Sequence, residues 1–119
     1  MKTKVILLSG ILILNFIAGC KKTSYGAPLR ADLKYEKVSD ILSNPERYFD
    51  QEIGLRGKIT LECASGCWFQ LDDGSGEILV DLAPANFAIP QMPGKAVTVM
   101  GKVVKDEERI VVHAAGVQF

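Results

Sequence analysis

The densest chemistry in the chain is Cys63-Ala64-Ser65-Gly66-Cys67, two thiols with three residues between them. The pair flanks what reads as a three-residue hairpin loop, with Gly66 where a positive φ is wanted. Residues directly opposed across an antiparallel pair lie about 4.5 to 5.5 Å apart at Cα, inside the range a disulfide accepts, so a disulfide is the first reading. Metal ligation is the alternative, with His113 as third ligand. The cysteine spacing is looser than a zinc knuckle and no fourth ligand stands out. A redox pair comes last, because Cys-x-x-Cys normally opens a helix and this pair sits between strands. His113 by itself reads as a half-buried packing residue. Asp72-Asp73-Gly74 lacks the distant bidentate glutamate of a calcium loop and reads as a turn former. Trp68 is the remaining candidate. If Phe69 and Leu71 face a core, alternation turns Trp68 and Gln70 outward, where an indole could stack on a base, a sugar or a partner's side chain. The competing reading has an N-terminal helix, with Tyr48 and Phe49, lying over it. No Ser-His-Asp set, paired acids in a cleft or Gly-rich phosphate loop is present, so neither catalysis nor a cofactor is expected.

The start of the chain sets the compartment. Lys2 and Lys4 precede the apolar run Val5 to Leu14, and the segment closes on small residues, the build of a secretory signal over residues 1–19. Asn15 and Lys21-Lys22 leave the run short of the roughly 20 apolar residues a spanning helix needs. Ile17-Ala18-Gly19-Cys20 resembles the lipobox of bacterial lipoproteins. The resemblance implies cleavage before Cys20, a diacylglycerol on its thiol and an acylated new amino group. Two or three acyl chains, at about 0.8 kcal/mol per buried methylene, hold a protein on a bilayer where one would release it. Lys21 after the cysteine, in place of Asp, implies the outer rather than the inner membrane and a place on the periplasmic side of the cell envelope. With Cys20 so used, Cys63 and Cys67 are an even pair in an oxidising compartment.

Residues 1–19 contain two lysines and no acid, so the 14 basic and 14 acidic residues of the whole chain become 12 and 14 in the remaining 100, a formal charge of −2. A chain of that size makes one domain. A slightly acidic domain is a poor candidate for a phosphate-tracking surface.

These residues must be positioned by an all-β domain. Residues 20–35, polar and broken by Gly26 and Pro28, read as a lipidated tether, and 36–119 as the domain. Ser39 can cap a short helix with Ile41 and Leu42 on its apolar side, which Asn44-Pro45 restarts or kinks. From Ile53 to Cys63 the period is two: Ile53, Leu55, Gly57, Ile59, Leu61 and Cys63 share one face, while Arg56, Lys58, Thr60 and Glu62 share the other. Gly57 allows a bend or a close backbone. Further strands follow at 67–72, 77–82, 96–104 and 109–116, with a proline-broken connection at 83–95 that can hold at most a helical turn. Val38-Ser39-Asp40-Ile41-Leu42, Asn44-Pro45, Tyr48, Gly57-Lys58-Ile59, Gly66-Cys67-Trp68-Phe69, Leu71 to Gly76, and Gly94-Lys95 to Gly101-Lys102 together resemble the small extracytoplasmic OB-fold proteins of bacteria. The implied fold is a five-stranded OB-fold-like barrel with a short N-terminal helix. Many OB domains place a helix between strands three and four; prolines stand there in this chain. The function expected is a membrane-anchored, non-catalytic binding module for an envelope protein, a glycan or a small ligand. Single-stranded nucleic-acid binding is a second reading that the charge opposes, and a metal or redox role at Cys63 and Cys67 a third.

Overall fold

The computed structural model describes residues 22–119; the signal segment and Cys20 lie outside them. Six strands appear: β1 (Ser24–Gly26), β2 (Glu52–Glu62), β3 (Trp68–Asp72), β4 (Glu77–Asp81), β5 (Ala96–Asp106) and β6 (Arg109–Gln118). β2 pairs with β3, β3 with β4, β4 with β6 in parallel, β6 with β5, and β5 back with β2. That circuit closes an all-β, five-stranded OB-fold-like barrel. A closed barrel removes the sheet edges that would otherwise expose unpaired backbone groups.

Period-two patterning fills the interior. Phe69 and Leu71 on β3, Ile78 and Val80 on β4, and Val97, Val99 and Val103 on β5 are buried against Ile53, Leu55 and Ile59 of β2. Gly57 fits its expected place: a Cβ there would run into the backbone carbonyl of Asp72, so only glycine lets β3 approach.

The helix α1 (Val38–Ser43) closes one end of the barrel with Val38 and Ile41, and a 3-10 turn, Pro45–Arg47, restarts the chain after Asn44. Leu42, expected on the apolar side, is 43% exposed. Ser39 is not the cap. The N-cap is Lys37, which makes no side-chain cap bond. Val38 N instead donates to Asp73 Oδ2 at 2.9 Å, and Ser39 N to Ser75 Oγ at 3.0 Å. A six-residue helix is too short to hold by itself, so the β3–β4 turn supplies its missing partners from 35 residues away.

The tether reading is corrected between Thr23 and Tyr35. β1 lies antiparallel on the end of β6, with Ser24 opposite Gln118 and Gly26 opposite Gly116. Phe119 N donates to Thr23 O at 2.8 Å and Ala27 N to Ala115 O at 2.9 Å. Leu33 is buried and Tyr35 bridges Gly54. The cause is β6 itself, which outruns β4: their pairing stops at His113, and β1 satisfies the edge beyond it. The folded unit therefore begins near Thr23, not at residue 36.

Candidate functional site

The alternation expected along β2 breaks at Thr60. Ile59 faces Leu71, but the next pairs are Leu61 with Gln70 and Glu62 with Phe69, so Thr60 is an extra residue and every side chain after it changes face. Leu61, expected inside, is 57% exposed. Glu62, expected outside, turns in: its Oε1 accepts a 2.6 Å hydrogen bond from Met92 N, and Oε2 is buried without a partner.

This shift builds a groove on the outer face. Leu61, Gln70 and Leu79 form one cross-strand row, Trp68 and Asp81 the next, and Asp106 and Arg109 of the β5–β6 hairpin form the rim. The space they line is about 440 Å³. Trp68 and Gln70 are half-buried and outside the barrel interior, as alternation requires. No residue of α1, Tyr48 or Phe49 lines the groove; Phe49 instead bridges Val103. A larger cleft, about 580 Å³, is lined by Arg56, Lys58, Thr60, Asp72, Asp73 and Ala96. It has no aromatic wall, and its two aspartates are taken up by the turn: Asp72 accepts from Gly74 N, and Asp73 from the N–H groups of Ser75 and Gly76 and from the Ser75 hydroxyl. The turn-forming role expected of both is the one they fill.

Burial pushes the Asp73 carboxyl up, but hydrogen bonds from the Ser75 hydroxyl and from the N–H groups of Val38, Ser75 and Gly76 outweigh it and hold the group below its ordinary value.

Cys63 and Cys67 are not opposite each other. Beyond the bulge Cys63 N donates to Trp68 O, and the chain turns back through Gly66, whose N–H bonds Cys63 O. The turn nevertheless brings the sulfurs to 3.0 Å as free thiols, with Ser65 Oγ 3.1 Å from Cys63 Sγ and 3.4 Å from Cys67 Sγ. Hydrogen bonding from the Ser65 side chain, then from the Cys67 thiol and the Ser65 backbone, lowers the Cys63 thiol from 9.0 to about 7. The loop is pinned from behind: Ile89 N donates to Gly66 O, Gln91 Nε2 to Ala64 O, and a Cβ on Gly66 would meet the Ile89 carbonyl.

His113 does not join the cysteines. It faces Asp81 and Lys102 from β6 and lines a separate hollow with Glu52, Pro84 and Ala85. Among the described residues no three His, Cys, Asp or Glu side chains gather in a way that could hold a metal. The Cys63, Cys67, His113 set is thereby corrected: β6 carries the imidazole away from the hairpin loop. Leu61 and Glu62 were missed as site and support residues. Nothing in the sequence signals the face change, because Glu62 continues the polar phase of Arg56, Lys58 and Thr60.

No family model matches the chain, and no curated protein matches it. Sixteen chains of solved structures do. The hypothetical protein ygiW from E. coli is 22% identical with a TM-score of 0.48, over 76% of this chain and 90% of that one. A protein assigned as an aspartyl-tRNA synthetase from Leishmania major Friedlin is 17% identical with a TM-score of 0.53, over 77% of this chain and 22% of that one. The Stn1-Ten1 complex from S. pombe gives 17% identity and a TM-score of 0.47, over 72% and 77%. This chain thus spans about a fifth of the synthetase-type protein, and that likeness concerns the fold alone.

Proposed function

We propose that this chain is a lipid-anchored, non-catalytic binding module of the bacterial cell envelope, held by acyl chains on Cys20 and engaging a partner protein segment through the Trp68 groove. The observation that carries the reading is the groove on the outer face of the barrel, where half-buried Trp68 and Leu79 stand beside exposed Leu61. A half-buried indole on the outer face beside an exposed leucine, with Gln70, Asp81 and Arg109 around it, has the composition of a protein-contact hot spot: an aromatic anchor, apolar flanks and a polar edge. Asp81 and Asp106 in that rim oppose a polyanionic strand, which speaks against nucleic acid. The signal pattern and Ile17-Ala18-Gly19-Cys20 support export and lipidation, and Lys21 supports the outer membrane. In that oxidising compartment Cys63 and Cys67 are joined, since a 3.0 Å separation needs about 1 Å of closure to reach the S–S bond length.

Two measurements test this reading. The intact mass of membrane-extracted protein should carry acyl chains, and Cys20→Ser should be unprocessed or released from the membrane. An unacylated wild type would end the anchor reading. Crosslinking of intact envelopes should capture a partner through the groove, and Trp68→Ala, still folded, should lose it. Capture of the same partner by that variant would end the groove reading.

A further inference from the structure

Strand pairing fixes the rows of side chains on the outer face of β2, β3 and β4. Trp68 lies directly across from Asp81 on β4, and one row along Gln70 stands between Leu61 on β2 and Leu79 on β4. Directly opposed side chains have Cβ atoms about 4.5 to 5.5 Å apart, and successive rows on one face are about 6.6 Å apart, two residues of strand. A flat indole, a carboxylate and two leucines therefore lie within the reach of one long side chain.

The fold does not use up the polar and aromatic members of this set. Asp81 Oδ1 accepts from Ala83 N at 3.1 Å, which orients the carboxylate without neutralising it. His113 faces Asp81 across the β4–β6 pairing and Lys102 stands one strand beyond, yet among the described residues no ion pair joins Asp81 to an arginine, lysine or histidine. Arg109 also lines the groove, but its cross-strand neighbour is Asp106, not Asp81. Among the described residues no cation of this chain lies over the Trp68 ring, whereas the Arg56 guanidinium lies over the Tyr35 ring at 3.6 Å from its centroid. Tryptophan is the aromatic that attracts a cation most strongly, and a carboxylate beside the ring adds a charge-assisted hydrogen bond.

Arginine fits these positions better than any other side chain. Its planar guanidinium stacks on an aromatic face while its edge donates N–H groups to a carboxylate, and its aliphatic stem packs on apolar surface. Laid across the two rows, the stem covers Leu61 and Leu79 and the head reaches Trp68 and Asp81 together. A lysine ammonium is a more strongly hydrated point charge and loses more on entering a half-buried place. An acidic or phosphorylated side chain is repelled by Asp81.

We propose that the groove selects an arginine of the partner segment, its guanidinium stacked on the Trp68 indole and hydrogen-bonded to Asp81, its stem on Leu61 and Leu79. The inference rests on the groove being the partner site proposed above, and names the side chain that the site recognises.

The test reads the partner's own sequence at the contact. A photo-crosslinking residue replaces Gln70, between the two leucines, in the full-length lipidated chain. Intact cells are irradiated, the adduct is digested with a protease that spares arginine, and the joined partner peptide is sequenced by mass spectrometry. It should carry an arginine within about three residues of the crosslinked position, roughly 10 Å of extended chain. Asp81→Asn keeps the Oδ1 that accepts from Ala83 N, so the domain should melt as the wild type does while the adduct falls several-fold. The peptide is read with Asp81 intact, so that arm decides even where the variant melts early. A lysine in place of the arginine, a joined peptide with no cation, or an adduct undiminished by Asp81→Asn overturns the arginine contact and leaves the groove standing. If Gln70 yields no adduct, the groove reading falls and this inference with it.

Discussion

Leu61 lies directly across from Gln70 on the outer face, one residue past a bulge that takes it out of the core. Being 57% exposed beside Trp68, it contributes little to the fold and much to the apolar floor of the groove. Leu61→Asp should leave the melting temperature nearly unchanged while abolishing capture of the partner. Thermal melts beside crosslinking measure both. A large drop in stability would place Leu61 in the core and remove it from the site.

Trp68→Ala should weaken partner binding by about 2 kcal/mol or more, as expected for a central aromatic anchor. Since the indole is half-buried and outside the barrel, the stability loss should stay below the roughly 3 to 5 kcal/mol typical of a core aromatic. A loss in that higher range, with binding falling only as the domain unfolds, would make Trp68 a packing residue.

Period two was enough to read the faces of β3 and β4, because nothing interrupts Phe69 and Leu71 or Ile78 and Val80. It failed on β2 because a bulge has no composition of its own here: Leu61 and Cys63 continue the apolar phase in the sequence while the backbone has slipped by one. The three-residue β1 was illegible for another reason. Ser24-Tyr25-Gly26 has no strand pattern and becomes a strand only because β6 offers an open edge. The helix cap from Asp73 is a contact across 35 residues, and no local pattern announces it. Trp68 and Gln70 were legible as outward-facing; the leucine that completes their groove was not.

Glu62→Ala removes the acceptor of the 2.6 Å bond from Met92 N. The loss of a hydrogen bond to a charged group predicts a destabilisation of about 1.5 to 3 kcal/mol in chemical denaturation. Because this bond ties the connection between β4 and β5 to the hairpin, amide exchange around Met92 should also accelerate. Unchanged exchange there would show that Glu62 does not fasten the connection.

Asp73→Ala should cost about 0.5 to 2 kcal/mol, as removal of a helix-capping acceptor does. The folded carboxyl is held below its unfolded value, so its contribution is complete above the ordinary carboxylate range and is lost as pH falls through the lower folded value. Acid unfolding curves of Asp73→Asn should accordingly be less pH-dependent than those of the wild type below that range. Parallel curves would contradict the cap.

In reduced protein the Cys63 thiol, lowered to about 7, should react with iodoacetamide along a curve centred near neutral pH. Ser65→Ala removes the largest cause of that shift and should move the midpoint upward. Protein taken from the envelope without reductant should expose neither thiol, and reduction should lower stability by about 2 to 3 kcal/mol, the chain-entropy figure for a short loop. Two readily alkylated thiols in native protein would refute the disulfide.

The central claim, a groove built on Trp68 that holds a partner at the cell envelope, is tested most directly by placing a photo-crosslinking residue at Gln70 in the lipidated, full-length chain and irradiating intact cells. The account predicts a discrete adduct that disappears in the Trp68→Ala background and does not form when the crosslinker stands at Lys58, outside the groove. An adduct that persists without Trp68, or none from Gln70 at all, would contradict it.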